Sequence, residues 1–240
     1  MISPELMRWL TGLRQQVEQT NPEFTALKPV GKPIPFFGDI RTARVLTIGV
    51  NPSPSEFSDD RWNGVNDDSQ WAHRLLNYFH HHRVPWHTWF RPWESSLRLL
   101  GCSYEDRTAA HLDLSPRATT RMSEVPQELR PTFCNMVESD LHWLFDFLAF
   151  APNVRLLLAA GSMMRPEPGA GIPVGAYLVE EALNHDVQIA NLGTGHILTC
   201  HAGRIALPLY SFRSGPSAND KFKLVNDVFE ARENLIRLLR

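Results

Sequence analysis

The stretch RVLTIGV, Arg44 to Val50, runs directly into NPSPSEF, Asn51 to Phe57, and decides the fold of this 240-residue chain. Its first half is a nearly continuous apolar run rich in β-branched residues. Such a run is typical of a strand covered on both faces, as in a parallel sheet. The second half is polar and stiffened by two prolines, which is typical of a loop. The stretch therefore predicts a buried strand that ends in a rigid polar loop.

Strands and helices alternate along the rest of the chain. We expect further strands at residues 109–115, 153–161 and 205–210, a small hairpin at 187–190 and 196–200, and helices at 4–20, 69–83, 131–150, 174–184 and 220–240. This alternation predicts βαβ units. We therefore expect an α/β fold, a three-layer α/β/α sandwich around a central, mainly parallel four-stranded sheet. We expect a single domain, residues 1–240, that includes an N-terminal helix and a proline-rich arm within residues 1–38.

The composition excludes several classes of protein. The formal net charge is −2, and no apolar run approaches the roughly 18 residues of a membrane span. The three cysteines, Cys102, Cys134 and Cys200, are widely spaced and odd in number. That pattern argues against a disulfide framework and a structural zinc site, and it favours a reducing, cytoplasmic location. We expect no membrane association.

The loop after the first strand carries the most chemistry. In open α/β sheets ligands bind beyond the carboxyl ends of the strands, so the loops at 50–57, 115–121, 161–165 and 210–217 are expected to converge. Gly49 allows a sharp turn, Asn51 offers an amide, Ser53 and Ser55 offer hydroxyls, and Phe57 offers an aromatic face. These groups would suit a flat heterocycle and a positioned water molecule. The alternative is a proline-stiffened turn with Ser55 as a helix cap.

The run VLTIGVNPSPSEF, Val45 to Phe57, resembles the first motif of the uracil-DNA glycosylase superfamily. In that motif a buried strand ends in G-x-(N or D)-P, followed by small residues and an aromatic residue. The order of the later elements is similar too: a second strand before DLSPRATTR, a third before AAGSM and a fourth before YSFRSGPS. The resemblance covers most of the chain after about residue 36, and the first motif is its specific part.

The resemblance implies hydrolysis of an N-glycosidic bond, without a metal or cofactor, after a base is flipped out of a nucleic acid. Asn51 would position the water through its carbonyl oxygen, because a neutral amide does not ionise and is a poor general base. Other residues of the region would frame or stack on the base: Gly49, Val50, Pro52, Ser53, Phe57 and Trp62.

The second motif of the superfamily departs from its usual form here. The loop after the last strand, Tyr210 to Ser217, has no histidine to stabilise the departing base. Ser211, as a second catalytic residue, or Arg213 would donate instead, and Phe212 would enter the base stack. We expect DNA contacts from Ser55, Phe212, Arg213, Ser214, Ser217 and Lys221. Alternatively, Phe212 packs back on the fold and Arg213 is merely solvated.

Histidines and tryptophans concentrate in one further segment. His80, His81 and His82 are consecutive, so they would point about 100° apart on a helix and could not share one ion. With His87 beyond a proline and no ligand pattern present, we expect no metal site. Five of the seven tryptophans lie between residues 62 and 93, where they would line a cleft or form a packed cap. Trp71, in helical register, is expected in the core.

Charge is unevenly spread along the chain. Residues 201–240 contain seven Lys or Arg and four Asp or Glu, against an acidic remainder. This basic segment is consistent with phosphate contact, or with basic residues that complement a helix dipole. The resemblance implies DNA as the partner, and no obligate protein partner is evident. Two other functions remain open: a non-catalytic relative that binds a nucleic acid or a free base, and a hydrolase of small nucleosides.

Overall fold

The computed structural model describes residues 2–57, 60–80, 87–167, 169, 171–182, 184–185, 187–191, 195–200, 204–212 and 221–239. The helices are α1 (Pro4–Thr20), α2 (Asp68–Leu76), α3 (Phe90–Leu99), α4 (Arg130–Phe147), α5 (Val174–Ala182) and α6 (Lys221–Leu239). The strands are β1 (Val45–Gly49), β2 (Ala109–Asp113), β3 (Leu156–Ala160), β4 (Ser162–Met163), β5 (Ile172–Pro173), β6 (Gln188–Asn191), β7 (His196–Cys200) and β8 (Ile205–Phe212). Among the described helices, none combines the length and apolar character needed to cross a membrane.

The α/β class is confirmed, but the sheet is larger than expected. Its strand order is β2-β1-β3-β8-β7-β6, and β2, β1, β3 and β8 run parallel to one another. The hairpin of β6 and β7 is antiparallel and joins the sheet along β8. The expected four-stranded sheet is therefore wrong in number, because the hairpin covers the edge that β8 would otherwise leave unpaired.

Helices lie against both faces of the sheet. Successive residues of β2 point to opposite faces, so His111 contacts the ring of Phe90 in α3, with centroids 5.2 Å apart, while Leu112 faces the other way. On that second face Leu112 lines a small internal space with Leu13 of α1 and Leu144 of α4. The strands β1, β2 and β3 are buried along their whole length, as their apolar composition predicts.

The N-terminal helix and arm fasten onto the parallel strands. The hydroxyl of Ser3 caps α1 by accepting from the backbone N–H of Leu6 at 3.2 Å. Phe37, near the end of the arm, exchanges two backbone hydrogen bonds with His111 of β2. Further back, the N–H of Val30 donates to the carbonyl of Ala118 at 2.9 Å. The arm therefore runs beside β2 and along the loop that follows it.

The tryptophan-rich segment differs most from expectation. The predicted helix at 69–83 ends at Leu76, and a single 3₁₀ turn follows at Tyr78–His80. Helix α3, which we did not predict, begins at Phe90. Trp71 is fully buried, as expected. His81 and His82 lie outside the described residues.

Candidate functional site

Two of the expected loops meet at the carboxyl edge of the sheet. Gly49 ends β1 in register with Asp113, which ends β2. Beyond the strands, the N–H of Leu114 donates to the carbonyl of Gly49 at 3.1 Å, and that of Ser115 to the carbonyl of Val50 at 3.0 Å. The loop that carries Asn51 therefore leaves the sheet beside the loop after β2.

Asn51 has a fixed orientation. Its side-chain Nδ2 donates to the hydroxyl of Thr119 at 3.1 Å and to the carbonyl of Pro52 at 3.2 Å. Both protons of the amide are thereby used. Among the described residues none donates to Oδ1. The half-buried carbonyl oxygen of Asn51 is thus available to accept a hydrogen bond from water.

Hydroxyls and an arginine adjoin Asn51. The Oγ of Ser53 accepts from the backbone N–H of Ser55 at 3.2 Å and from Nε of Arg121 at 3.2 Å, and the two serine hydroxyls are 2.8 Å apart. The Arg121 side chain is 51% exposed, and Nη1 lies 3.6 Å from Glu124. A partly exposed guanidinium beside two hydroxyls is suited to contact a phosphate oxygen. Arg121 belongs to the stretch DLSPRATTR, but the sequence alone predicts no role for it.

Phe57 and Trp62 form one aromatic surface. Their rings stack with centroids 5.5 Å apart and planes inclined by 29°. Gly31 of the arm has a φ of +65°, and a Cβ built on it would overlap the Phe57 ring. The arm therefore approaches Phe57 closely only because residue 31 is glycine. The two expected stacking residues lie together, and the arm covers part of Phe57.

A buried aromatic and ionic group holds the loop after β1. The hydroxyl of Tyr78 donates to Oε2 of Glu56 at 2.6 Å, and Nη1 of Arg61 donates to the Tyr78 carbonyl at 2.9 Å. The guanidinium of Arg61 also lies 4.0 Å from the centre of the Tyr78 ring. Burial, and then the charge of Glu56, raise the pKa of Tyr78 well above its usual range, so the phenol remains a donor. These buried contacts stabilise the loop after β1.

A second buried ion pair holds the loop after β2. Nε of Arg117 lies 2.9 Å from Oδ2 of Asp140 in α4, and the Ser115 hydroxyl donates to the same oxygen at 2.7 Å. Nη1 of Arg117 also donates to the carbonyl of Val17 at 3.0 Å and to Oδ1 of Asn21 at 2.8 Å. Burial raises the pKa of Asp140, and Arg117 acts against that effect. Thr119 and Arg121 are thereby held close to Asn51.

His87 lies near the same loops. Its Nδ1 accepts from the backbone N–H of Trp89 at 3.2 Å, which places the proton of the neutral ring on Nε2. Burial, and then the charges of Arg121 and Arg61, lower the pKa of His87. The imidazole is therefore neutral at pH 7. From the sequence, His87 was considered only as a metal ligand. It is far from Asn51 and Arg121 along the chain, so its proximity to Arg121 was not predictable from local pattern.

A buried polar group that sequence reasoning missed lies directly under the site. Oδ1 of Asp113 is 3.3 Å from Nε2 of His111, and Nδ1 of the same ring is 2.7 Å from the hydroxyl of Thr47. That hydroxyl is 2.5 Å from the hydroxyl of Tyr104. All four side chains are buried. The sequence did contain an indication of this group. In the otherwise apolar strand AAHLD, His111 and Asp113 are two residues apart, so their side chains lie on the same face of the sheet.

Gly49 is adapted to this group. A Cβ built on Gly49 would overlap Oδ1 of Asp113 and lie 3.1 Å from Nε2 of His111. Any larger residue at the end of β1 would displace the carboxylate. The glycine of the motif therefore does more than permit a turn.

Ser211 lies within β8, away from the Asp113 group. Ser211 faces α5: a Cβ built on Gly175 would lie 2.7 Å from its Oγ, which has no hydrogen-bond partner among the described residues. Across the strands Ser211 is in register with Ala159, and through β1 with Leu112 of β2. Ser211 therefore points to the same sheet face as Leu112, which is opposite to the face of Asp113. The structure does not bring its hydroxyl together with the Asp113 group.

Phe212 corrects one expectation. It belongs to β8, pairs with Ala160 and is only 5% exposed, so its ring is part of the core rather than free to enter a base stack. The alternative weighed for it, packing back on the fold, is the arrangement found. Arg213, Ser214 and Ser217 lie outside the described residues, as does the side chain of Lys221 at the start of α6.

Comparison with known proteins adds no assignment. Within the described residues, no three His, Cys, Asp or Glu side chains are grouped as metal ligands would be. The sequence matches no known family model, and no curated protein is significantly similar to it.

Proposed function

We propose that this protein is a metal-independent hydrolase of N-glycosidic bonds, with a uracil-DNA glycosylase-like fold, that releases a modified or mismatched base from DNA. The observation that carries the proposal is the orientation of Asn51 at the carboxyl end of β1. Thr119 and Pro52 take both amide protons and leave Oδ1 to accept from water. This is the role that the resemblance of the G-x-N-P loop implies.

The surrounding groups suit the rest of the reaction. Breaking the bond between C1′ and the base nitrogen leaves positive charge on the sugar and negative charge on the base. In this proposal Asn51 holds the water for attack on C1′, and the backbone from Gly49 to Ser53 frames the base. Arg121, with the hydroxyls of Ser53 and Ser55, contacts a phosphate of the bound strand. Phe57 and Trp62 supply the aromatic surface.

A substrate panel tests the proposal. The protein is incubated with duplex and single-stranded oligonucleotides that carry uracil, hypoxanthine, xanthine or a thymine mismatch, and abasic sites are scored by alkaline cleavage. The proposal predicts release of at least one of these bases without added metal and in the presence of a chelator. If no base is released, and labelled DNA is not shifted at low salt, the glycosylase function is excluded.

One observation favours a second candidate, the hydrolysis of free nucleosides. The arm packs on both loops of the site, through Gly31 against Phe57 and through Val30 on Ala118. Phe212 is buried as well, so it is not available to fill the stack that a flipped base leaves. A small nucleoside needs neither an open groove nor such a wedge. Release of free base from mononucleosides, with no release from oligonucleotides, would favour this candidate.

A further inference from the structure

We infer that Asp113 is the general base of the reaction, the carboxylate that takes the proton from the water held by Asn51. This inference rests on the proposed function and assigns a role to a residue outside the Asn51 loop. It starts from a chemical gap. An amide such as that of Asn51 can orient water, but it has no basic site that accepts a proton near neutral pH. A second group must accept that proton.

Asp113 is placed for this role. It ends β2 in register with Gly49, and its Oδ1 lies against the Cα of that glycine. Asn51 follows Gly49 by two residues, which span at most about 7 Å of chain. Within the described part of the chain, Asp113 is the acidic residue that adjoins the start of the Asn51 loop from the neighbouring strand. A carboxylate and an amide oxygen thus flank the same strand end.

The two oxygens of this carboxylate differ. Oδ1 faces Nε2 of His111, whereas Oδ2 has no hydrogen-bond partner among the described residues and is not fully enclosed. The residue as a whole is 8% exposed. Burying a carboxylate is costly unless all of its acceptor sites are satisfied. Because Oδ1 is paired and, within the described chain, Oδ2 is not, Oδ2 is the oxygen of this carboxylate that can accept a hydrogen bond from a water molecule.

The buried side chains behind Asp113 form a chain of hydrogen bonds. A carboxylate oxygen accepts, so Nε2 of His111 donates to Asp113, and Nδ1 of the same ring is paired with the Thr47 hydroxyl at 2.7 Å. The Thr47 hydroxyl is in turn 2.5 Å from the hydroxyl of Tyr104. Burial raises the pKa of Tyr104 well above its usual range, so the phenol keeps its proton. His111 and Thr47 are thus positioning residues that hold Oδ1 in place and leave Oδ2 to react.

The step balances as a hydrolysis. The water oxygen forms a bond to C1′ as the bond from C1′ to the base nitrogen breaks, and the departing base keeps that electron pair. One proton of the water passes to Oδ2 of Asp113, and solvent protonates the released base. The negative charge of Asp113 also stabilises the positive charge that develops on the sugar.

Single-turnover and steady-state kinetics of Asp113→Asn on the best substrate of the panel test the inference. General acid–base catalysis is worth about 10²- to 10⁴-fold, so we expect kcat to fall at least 100-fold while KM stays within about threefold. In Asp113→Ala, which opens space beside Gly49, we expect added formate to restore at least tenfold of the lost activity. A purely structural role would not respond to formate.

Asp39→Asn is the matched control. Asp39 is also a buried carboxylate, 3% exposed, but it pairs with Arg41 and Arg107, and Arg107 lies before the start of β2, at the opposite edge of the sheet. This variant is expected to lose stability and to keep its kcat. A melting temperature of Asp113→Asn close to that of the wild type is expected and would establish that the variant is folded.

The outcomes separate the two claims. If the wild type releases a base and Asp113→Asn retains its kcat within threefold, or formate fails to restore Asp113→Ala, the inference is overturned and the proposed function stands. If the wild type releases no base from any substrate, both fall together.

Discussion

At the scale of single residues, the site depends on two glycines, because each lies where a side chain would overlap a neighbouring group. Gly49 lets the Asp113 carboxylate lie against the end of β1, and Gly31 lets the arm approach Phe57. From the sequence, Gly49 predicts only a sharp turn. What the glycine accommodates is a residue 64 positions later, and no local pattern contains that information.

Gly49→Ala tests this close approach. The added Cβ would overlap Oδ1 of Asp113, so the carboxylate or β1 must shift. We expect the free energy of unfolding to fall by about 1–3 kcal/mol, as in other overpacked cores. Chemical denaturation measures this change. Gly12→Ala is the control: nothing lies within 4 Å of a Cβ built there, and in the middle of α1 alanine is expected to stabilise by up to about 1 kcal/mol. Equal effects at the two glycines would contradict the account.

His87 provides a test of the electrostatics at the site. Burial, and then the positive charges of Arg121 and Arg61, lower its pKa below the usual value near 6.5. Because the unfolded chain binds this proton more readily, the stability contributed by His87 is present above about pH 6.5 and is lost as the pH falls through the lower folded value.

The expected result is measured by NMR titration of the imidazole. Arg121→Gln removes one of the two cations and should raise the pKa of His87, whereas Arg121→Lys keeps the charge and should leave it closer to that of the wild type. An unchanged titration in Arg121→Gln would show that His87 does not sense Arg121, and His87 would then no longer belong with the site.

At the scale of elements, the loop after β2 owes its shape to one buried ion pair. Arg117 and Asp140 are 3% and 2% exposed, and Arg117 also binds the end of α1 through Val17 and Asn21. One side chain thus joins α1, α4 and the loop that carries Thr119. Because Thr119 orients the amide of Asn51, the pair acts indirectly on the site.

Arg117→Leu tests this connection. Removing one partner leaves a buried, uncompensated carboxylate, and such losses cost about 3–5 kcal/mol. Urea denaturation should show that loss, and the double variant Arg117→Leu/Asp140→Leu should recover part of it because no charge is left buried. Arg8→Leu, at an exposed pair on α1, should change stability by less than about 1 kcal/mol. If Arg117→Leu were as mild as Arg8→Leu, the loop would not depend on the pair.

Local pattern was sufficient for most elements. Apolar runs located β1, β2 and β3, and the helix expected at 4–20 is α1. Helix α3 was missed because it begins without a side-chain cap and has a proline in its first turn, although Phe90, Trp93 and Leu97 have helical spacing. The hairpin was located, but its pairing with β8 was not, because strand neighbours are determined by tertiary packing rather than by local sequence.

The candidate site was predictable only in its local part. Gly49, Asn51 and the two serines stand together in the sequence, so their chemistry was visible. Thr119, Arg121 and His87 reach the site from distant segments, through contacts such as the Thr119 hydroxyl on Asn51. Phe212 was assigned to a loop because the pattern of β8 stopped short of it, whereas the strand continues through Phe212 and buries the ring.

At the scale of the whole molecule, the distribution of charge bears on the proposed binding of DNA. The net charge of −2 argues against tight binding to DNA through bulk charge, although the C-terminal 40 residues are basic. One of those basic residues, Arg232, donates to the carbonyl of Leu99 at the end of α3, so it is engaged in packing α6 rather than free for phosphate. In the proposed complex with DNA, the half-exposed Arg121 is available to contact a phosphate.

The central claim is that Asn51, at the carboxyl end of β1, positions the water that hydrolyses an N-glycosidic bond. The most direct test is the single-turnover rate of base release by Asn51→Ala on the best substrate of the panel. Asn184→Ala serves as the control. Helix α5 begins at the carboxyl edge of the sheet, where its first residue donates to the carbonyl of Gly161, and Asn184 follows the far end of that helix. The exposed amide of Asn184 therefore lies away from the Asn51 loop. The account predicts that Asn51→Ala lowers the rate at least 100-fold while Asn184→Ala leaves it unchanged. A rate for Asn51→Ala within threefold of the wild type would contradict it.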